Sequence, residues 1–510
     1  MSAVLMAAGL LALPACGGKT DEKARAAGIV PADAVAFFSV NLDPSIEQKR
    51  NLLSVFRRFP GVKDEVRGDF ENARDRLLDQ VTEEGGLDYV KDVKPWLGNE
   101  IALAVLAGGG GEDGGPPPVV VLIQTRDRAK AEAALEKSRK AGDFEGQFRA
   151  VDDFMVIANE SDDSAETADL EAVAAQAKKR DGGLAESKRF TTVVDELAGD
   201  RLLLAWADGK ALGEEFAGVL ALPGLDLVGD DAKSGPVAAD LHAERSAVVV
   251  DGYAVATGET AGNQARLTRA LPVETLGALT LFNLKGIAEE ATKAIAGVGD
   301  SSDGEEFDPL AELNRETGID LSTDVLAWME GEVALVASEV PSGREFPDFG
   351  LVIEPTDRAR AEAGLAKVVA ALRDHDFALE ERTIGGATAY VAPEPFVEDI
   401  QPAMALFKDR FVLANSPAYL GTLSKAVSPG FGSTKSYEAV LGEGSSSRTS
   451  FQLVVRIDPI REAIERALSG DERADYNRDA RANVEPLNSF GISSRRDGNV
   501  HHFSMKLTFD

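Results

Sequence analysis

Short apolar runs alternate with helical stretches along this chain. Residues 35–42 form a mostly apolar run with β-branched side chains, which predicts a strand, and residues 46–59 predict the helix after it. Two further runs, 100–105 and 119–124, flank a loop of glycine, acidic residues and proline, and this pattern indicates an antiparallel pair. Hairpins outnumber strand–helix–strand units, so we expect a largely antiparallel sheet.

Local signals place the turns and the next helix. Asp127 precedes an alanine-rich stretch, where its carboxylate can accept hydrogen bonds from the free N–H groups of a helix start. We predict a hairpin around Asp152-Asp153, and Asp-Gly turns at 251–252 and 497–498. Residues 393–405 show no helix or strand pattern.

The chain also repeats itself. Residues 92–103, DVKPWLGNEIAL, recur 232 positions later as residues 324–335, DVLAWMEGEVAL. Residues 127–135, DRAKAEAAL, recur as residues 357–365, DRARAEAGL, and three weaker similarities keep the same order. Five ordered matches argue against chance and for a duplicated unit.

The repeat defines the predicted fold class and domain organisation. We predict an α+β protein of two tandem homologous halves, residues 30–265 and 266–510. Each half is expected to be a largely antiparallel sheet with helices packed mainly on one face. Residues 1–15 are predicted to be a lipoprotein-type signal peptide, and residues 16–29, which are small and charged, a flexible tether.

The N-terminus carries the prediction of where the protein acts. An uncharged apolar run of about a dozen residues, shorter than the ~20 that span a bilayer, ends in Leu13-Pro14-Ala15-Cys16. This ending resembles the bacterial lipobox, whose cysteine becomes lipid-modified, and Cys16 is the chain's only cysteine. We therefore expect a lipid anchor at Cys16. A buried helix with an inert cysteine is the alternative.

The expected location follows from this anchor. The protein would sit in the cell envelope, on the outer side of the cytoplasmic membrane or as a periplasmic or cell-surface protein, and contact the membrane through its lipid. No Lys or Arg precedes the apolar run, although an export signal usually has one, so we expect the natural start to lie upstream of Met1.

Composition excludes several classes of function. Lys and Arg number 54 and Asp and Glu 86, and the net charge of −32 argues against a nucleic-acid partner. The chain has four histidines, His242, His375, His501 and His502. The two neighbours, His501 and His502, would point to opposite faces of a strand. We therefore expect no metal site and no cofactor.

Catalytic motifs are missing from the sequence, so no catalytic residue is assigned. The repeated segments contain Trp96 with Glu100 and Trp328 with Glu332. These four residues are candidates for ligand contacts or, alternatively, for structural anchors that hold a strand to a helix. We favour the structural interpretation because both halves need the same anchor.

The combined features resemble a bacterial family of uncharacterised lipoproteins, the domain of unknown function 3352. The resemblance is carried by the lipobox, by Val30-Pro31-Ala32-Asp33 before Ser39-Val40-Asn41-Leu42, by the Trp-x-x-x-Glu segments at Trp96 and Trp328, and by the two Asp-Arg-Ala helix starts. It implies exported or membrane-attached proteins without an assigned activity.

Three functional hypotheses remain open at this point. The first is a non-catalytic, lipid-anchored binding or scaffold module, whose protein or small-molecule partner is not specified by the sequence. The second is a binding protein for a small or apolar ligand between the two halves. The third is an envelope hydrolase that uses carboxylates, since 86 acidic residues supply candidates.

Overall fold

The computed structural model covers most of the chain. It describes residues 24–60, 70–83, 87–107, 118–142, 146–159, 165–179, 181–197, 199–212, 235–255, 263–282, 318–341, 346–396, 400–442 and 449–510, and three single positions between them. Cys16, the predicted signal peptide and residues 16–23 of the predicted tether lie outside these residues. The prediction of a flexible tether is wrong for residues 24–29, which include the 3-10 helix Arg25–Gly28 and bury Ala26 and Ala27 in the core of the first unit. No helix among the described residues is long and apolar enough to cross a membrane.

The chain forms two compact units. The first consists of the described residues before position 260 together with 477–486 and 496–510, and the second of 260–476 and 487–495. The predicted boundary at 265/266 lies close to this division. The prediction assigned everything after 266 to the second half, whereas the C-terminal strand belongs to the first unit, because it pairs along its length with a first-unit strand.

Among the described residues, nine strands form the sheet of the first unit. They are β1 (Ala36–Asn41), β2 (Leu97–Val105), β3 (Val119–Thr125), β4 (Gly146–Val151), β5 (Phe154–Asn159), β6 (Leu203–Asp208), β7 (Pro236–Glu244), β8 (Ala247–Val255) and β18 (Val500–Phe509). Their order in the sheet is β4-β5-β3-β2-β1-β6-β7-β8-β18, and each neighbouring pair is antiparallel.

The described part of the second unit also contains nine strands. They are β9 (Thr275–Phe282), β10 (Glu332–Ser338), β11 (Phe349–Ile353), β12 (Glu380–Ile384), β13 (Ala387–Val391), β14 (Ala403–Leu406), β15 (Phe411–Ala414), β16 (Phe451–Arg456) and β17 (Leu487–Asp497), the last two residues of β17 falling in the first unit. Their order is β12-β13-β14-β15-β11-β10-β9-β16-β17, again antiparallel throughout.

The internal repeat is visible in this topology. The central strands β5-β3-β2-β1-β6 of the first unit correspond to β15-β11-β10-β9-β16 of the second, in the same chain order. The predicted antiparallel pair is β2 with β3, and the hairpin predicted around Asp152-Asp153 is β4 with β5. Asp152 adopts φ 48°, a left-handed conformation that aspartate tolerates in tight turns.

Helices connect the strands of both units. They are α1 (Ile46–Phe56), α2 (Phe70–Glu83), α3 (Arg128–Ala141), α4 (Ala165–Lys179), α5 (Lys188–Val194), α6 (Gly209–Leu212), α7 (Arg266–Arg269), α8 (Arg358–Asp374), α9 (Pro417–Leu423), α10 (Lys435–Leu441), α11 (Ile457–Ala467), α12 (Gly470–Asp479) and α13 (Arg481–Val484). Short 3-10 helices cover Arg25–Gly28, Leu184–Glu186, Leu326–Trp328 and Phe431–Ser433, and π-helical turns cover Tyr89–Val93 and Leu321–Val325.

The two alanine-rich helices begin where the sequence predicts. The Asp127 side chain accepts a hydrogen bond from the backbone N–H of Lys130 at 3.2 Å, and α3 starts one residue after Asp127. Asp357 caps α8 in the same way, accepting from the N–H of Arg360 at 3.1 Å. Each cap satisfies a backbone donor that the first helical turn leaves free.

The expectation that helices pack mainly on one face is wrong. In the first unit, Phe37 packs with residues of α4 and α5, while Val40 packs on the opposite face with α1, α2 and α3. The second unit likewise has helices on both faces, α9 and α10 on one and α8 on the other. The reason lies in strands such as β3, VVVLIQT, which are apolar at consecutive positions and therefore bury both faces.

Two local predictions also need correction. Asp251 and Gly252 lie within β8, and the preceding turn falls at 245–246. Within the stretch 393–405, to which we assigned no element, residues from Ala403 onward form β14, which pairs with β13 and β15. The Asp-Gly turn at 497–498 is confirmed, with Gly498 at φ 62° between β17 and β18.

Candidate functional site

The tryptophans of the repeat are buried and make equivalent contacts. Trp96 and Trp328 are each 2% exposed. The indole N–H of Trp328 donates to the backbone carbonyl of Asp324 at 3.0 Å, and that of Trp96 donates to the carbonyl of Asp92. Each indole thus ties a π-helical turn to the strand that follows it. These are the contacts of a structural anchor.

The two glutamates of the repeat hold the segments in front of β1 and β9. The Glu100 carboxylate accepts a hydrogen bond from the backbone N–H of Ala26 at 3.2 Å, at the start of a 3-10 helix. Glu332 accepts from the N–H groups of Leu267 and Thr268, each at 2.7 Å, in the first turn of α7. Both carboxylates therefore satisfy helix N-termini from a neighbouring strand.

Burial sets the protonation behaviour of this pair. Desolvation raises the pKa of Glu100 to about 7, although the backbone N–H groups of Ala26 and Arg25 favour its charged form. Burial also raises the pKa of Glu332, against the opposing effect of its bonds from Thr268 and Leu267. The tryptophans and glutamates of the repeat, which were candidates for ligand contacts, thus make their hydrogen bonds to the protein's own backbone and are buried in its core.

A different feature of the second unit has the character of a binding surface. Five leucines stand directly opposite one another across five adjacent strands: Leu413 (β15), Leu351 (β11), Leu335 (β10), Leu279 (β9) and Leu453 (β16). We call them the leucine row. Neighbouring strands lie about 4.8 Å apart, so the four gaps give the row a length of roughly 19 Å.

Much of the leucine row is accessible. Helix α8 covers the neighbouring part of the same sheet face, where Leu365 packs in one core cluster with Val333. Two residues further along β10, on the same face, Leu335 is 46% exposed, and Leu413 on β15 is 39% exposed. Large apolar side chains grouped on a surface in this way mark interaction sites more often than single exposed ones do.

The row lies in a groove of about 590 Å³. Its lining residues are Gly277, Ala278, Leu279, Leu335, Val336, Ala337, Phe349, Gly350, Leu351, Ile400, Pro402, Leu413, Ala414, Asn415 and Leu453. Asn415 supplies the one polar side chain in this lining, and it is already bonded to the protein, donating to the Pro347 carbonyl at 2.9 Å and accepting from the Phe349 N–H at 3.1 Å. Among the described residues, the lining therefore carries no charged side chain.

A larger depression of the second unit is less specific. It has a volume of about 1120 Å³ and includes Arg358, Glu362 and Asp409 in its lining. Arg358 bonds Glu362 at 2.9 Å and Asp409 bonds Arg410 at 3.0 Å, and Lys408 and Lys425 also line the depression. A lining of mixed charges does not indicate one class of ligand, whereas the apolar lining of the groove does, so we regard the groove as the candidate site.

The leucine row is not evident from the sequence. Each leucine lies in an ordinary apolar strand segment, and such a segment does not reveal which of its positions a helix will cover. Alternation within β10 identifies Val333 and Leu335 as one face, but the extent of α8 over that face depends on tertiary packing. The available signal was that two of these strands, β11 and β15, carry no polar residue on either face.

Comparison with known proteins places the chain in a family. The model of a family described as "Protein of unknown function (DUF3352)" matches residues 1–212 and 235–508. The chain belongs to the DUF3352 family. This confirms the resemblance found from the lipobox and the repeated motifs. The description of DUF3352 names no activity, so the function has to be argued from the site.

Two solved structures share a weak similarity with this DUF3352 protein. Crystal form I of TP0453 is 11% identical, with 47% of this chain and 82% of that chain covered and a TM-score of 0.21. Crystal form III of TP0453 is 9% identical, with 52% and 86% covered and a TM-score of 0.22. Scores this low carry no argument about fold or function. No curated protein matches the chain.

Proposed function

We propose that this DUF3352 protein is an exported, lipid-anchored envelope protein that binds the hydrocarbon chain of a lipid along its leucine row. The single observation that supports this function is the accessible row of five leucines in a groove without charged side chains. The role is binding rather than catalysis, and it takes up the apolar-ligand hypothesis with the second unit as its site.

The dimensions and chemistry of the groove favour an acyl chain. The row is roughly 19 Å long, whereas one leaflet of a bilayer's ~30 Å hydrocarbon core is about 15 Å deep. An extended acyl chain therefore fits along it. The side chain of Asn415 already donates one hydrogen bond to the backbone and accepts one from it, so among the described lining residues an occupant with polar groups would find few side-chain partners.

The proposed anchor would bring the site to its ligand. Cys16, in the segment resembling a lipobox, is the expected attachment point, and residues 16–23 remain as the expected tether because residues 24–29 pack into the first unit. A protein held at a membrane meets lipid chains at high local concentration. The net charge of −32 disfavours an electrostatic attachment to anionic headgroups, which leaves the lipid anchor and apolar contacts as the means of association.

Displacement of a fluorescent fatty acid from the purified full-length protein tests the binding site. We expect one bound probe per chain in the wild type. Leu335→Gln and Leu413→Gln, both at exposed positions, should each weaken binding roughly tenfold, because each removes apolar contact worth about 1–2 kcal/mol. The matched control is Ile464→Gln on α11, whose side chain is 50% exposed and lies outside the groove lining.

The outcomes of this experiment separate the possible occupants. Loss of binding in the two leucine variants but not in Ile464→Gln supports the site. Equal binding by all four proteins contradicts it, and absence of probe binding in the wild type means that the face is covered by another part of the chain or by a protein.

The anchor needs its own measurement. Intact-mass analysis of the N-terminal peptide, taken from the protein in its native membrane, should show an acylated Cys16 as the first residue. An unmodified Met1 with fractionation away from membranes would contradict the proposed location.

A further inference from the structure

Two aspartates face each other in the sheet of the first unit. Asp240 on β7 stands directly opposite Asp251 on β8, and Asp251 stands opposite Ser504 on β18. His242 lies two residues after Asp240, and His502 two residues before Ser504, so strand alternation puts all five side chains on one face. Like charges directly opposite across a strand pair are destabilising.

Three of these side chains converge, those of Asp240, His242 and Asp251, and His502 lies beside them against Asp251. One ligand atom from each of Asp240, His242 and Asp251 lies within 4.8 Å of the other two. His242 Nδ1 is 3.2 Å from Asp240 Oδ2, and His502 Nε2 is 3.5 Å from Asp251 Oδ1. His502 is held in place by stacking on Tyr253, with 4.6 Å between ring centroids.

Asp240 is incompletely satisfied in this arrangement. The residue is 1% exposed, and its Oδ1 has no hydrogen-bond partner among the described residues. Arg201 lies close enough for its charge to act on Asp240 but makes no hydrogen bond that would satisfy this oxygen. A buried carboxylate oxygen without a partner costs free energy, and such groups are commonly paired with a cation or coordinate a metal.

We propose that Asp240, His242 and Asp251 bind a zinc ion, with His502 as the fourth ligand. Imidazole nitrogen and carboxylate oxygen are both zinc ligands, and four protein ligands make a closed, structural site. Ligand atoms about 2.0–2.2 Å from a tetrahedral zinc stand about 3.4 Å apart. The ligand atoms of Asp240, His242 and Asp251, which lie up to 4.8 Å apart, therefore move together by up to about 1.4 Å when the ion binds, and His502, which lies outside that group, moves further to become the fourth ligand.

The position in the sheet indicates what the ion does. His502 comes from β18, the C-terminal strand, while the other three ligands come from β7 and β8. A zinc ion bound by all four fastens the C-terminal strand to the sheet of the first unit at a point where two carboxylates otherwise repel each other. Metal bound to the folded state alone stabilises that state.

Zinc titration of the metal-free full-length protein tests the site. We expect one zinc ion per chain, and a higher melting temperature when zinc is present. Asp251→Asn and His502→Gln should each lower the affinity for zinc roughly 100-fold or more. Loss of a group that only hydrogen-bonds to a metal ligand already lowers metal affinity by up to roughly 100-fold, and these variants remove a ligand itself. The matched control is His375→Gln, an exposed histidine at the end of α8, which should bind zinc as the wild type does.

Cobalt serves as a second probe that does not depend on stability. Cobalt bound at this site should give the visible absorption of a tetrahedral ion. The His502→Gln variant should fold, because the His502 side chain is partly exposed, and should lose this cobalt absorption. Zinc binding that is unchanged in both Asp251→Asn and His502→Gln, or no stoichiometric binding by the wild type, would overturn the proposal.

Discussion

The ring of Phe503 on β18 lies against the backbone of Gly252 on β8. The two residues are directly opposite in the strand pair, and a Cβ placed on Gly252 would stand 2.0 Å from the ring's Cζ. Phe503 is 1% exposed, so its ring fills a core position that exists because Gly252 has no side chain. Gly252 thus serves close packing within a strand, where its sequence context suggested a turn.

Gly252→Ala is expected to destabilise the first unit by about 2 kcal/mol, because the added methyl group overlaps the Phe503 ring and forces the strand pair apart. Urea unfolding followed by circular dichroism would measure this. Gly28→Ala is the control, since a Cβ there meets nothing within 4 Å. Equal stability of both variants would show that the Phe503 ring moves aside freely.

Glu100 should make stability depend on pH. Burial raises its folded-state pKa from 4.5 to about 7. Since the folded-state value is the higher one, folding favours the protonated form. The stabilising contribution of Glu100 to the free energy of unfolding is fully present below about pH 4.5 and is lost as the pH rises through about 7. The shift corresponds to about 3 kcal/mol in the free energy of unfolding.

Glu100→Gln should remove that dependence, because glutamine keeps an acceptor oxygen for the Ala26 N–H and does not titrate. When the pH is raised from about 4.5 to 8, the free energy of unfolding should fall by about 3 kcal/mol more in the wild type than in the variant. The control is Glu132→Gln on the exposed face of α3. If the pH profiles of wild type and Glu100→Gln coincide, the carboxylate is better solvated than its burial indicates.

The repeated tryptophan anchors predict matched effects in the two units. Trp96→Phe and Trp328→Phe each remove an indole N–H that donates to a backbone carbonyl and leave a small cavity. We expect each to lower the free energy of unfolding by about 2 kcal/mol. Val90→Ala, at a 60% exposed position, should change it by less than about 0.5 kcal/mol. A large effect in one unit only would argue against equivalent anchors.

Gly364 on α8 marks a difference between the repeats, since alanine stands at the corresponding position 134 of the first half. A Cβ on Gly364 would lie 2.1 Å from the Asp324 carbonyl oxygen and 2.9 Å from Trp328 Nε1. Gly364→Ala should therefore destabilise the second unit by about 2 kcal/mol despite alanine's better helix propensity.

The helix-matched control for this variant is Gly421→Ala on α9. There the added Cβ meets Ile384 Cγ2 at an ordinary 3.5 Å, so the substitution should be neutral or stabilising by up to about 1 kcal/mol. Thermal unfolding of both variants would distinguish the clash from a general effect of alanine. Destabilisation by Gly421→Ala equal to that of Gly364→Ala would contradict the assignment.

Features with a local cause were predictable from the sequence. The helix starts at Asp127 and Asp357 follow from capping within three residues, and the β4–β5 hairpin follows from two acidic residues between apolar runs. The repeat predicted equivalent anchors at Trp96 and Trp328 because equal segments in equal topology make equal contacts.

The sites depend on pairings between distant segments. Asp240, Asp251 and His502 meet because β18 joins β8, a pairing across about 250 residues that no local pattern encodes. From the sequence alone, His502 could be related only to its neighbour His501. In the same way, the five leucines form a row only because the registers of five strands place them opposite one another.

The sequence by itself thus determined the family, the duplication, the antiparallel strands and the capped helices, because each is encoded in short-range composition and spacing. Tertiary structure alone decided that both sheet faces carry helices, that Gly252 lies under Phe503, and that Leu335 stays accessible beside the part of the sheet face that α8 covers. These outcomes depend on which apolar surfaces find partners, and burial is a property of the packed chain rather than of any segment.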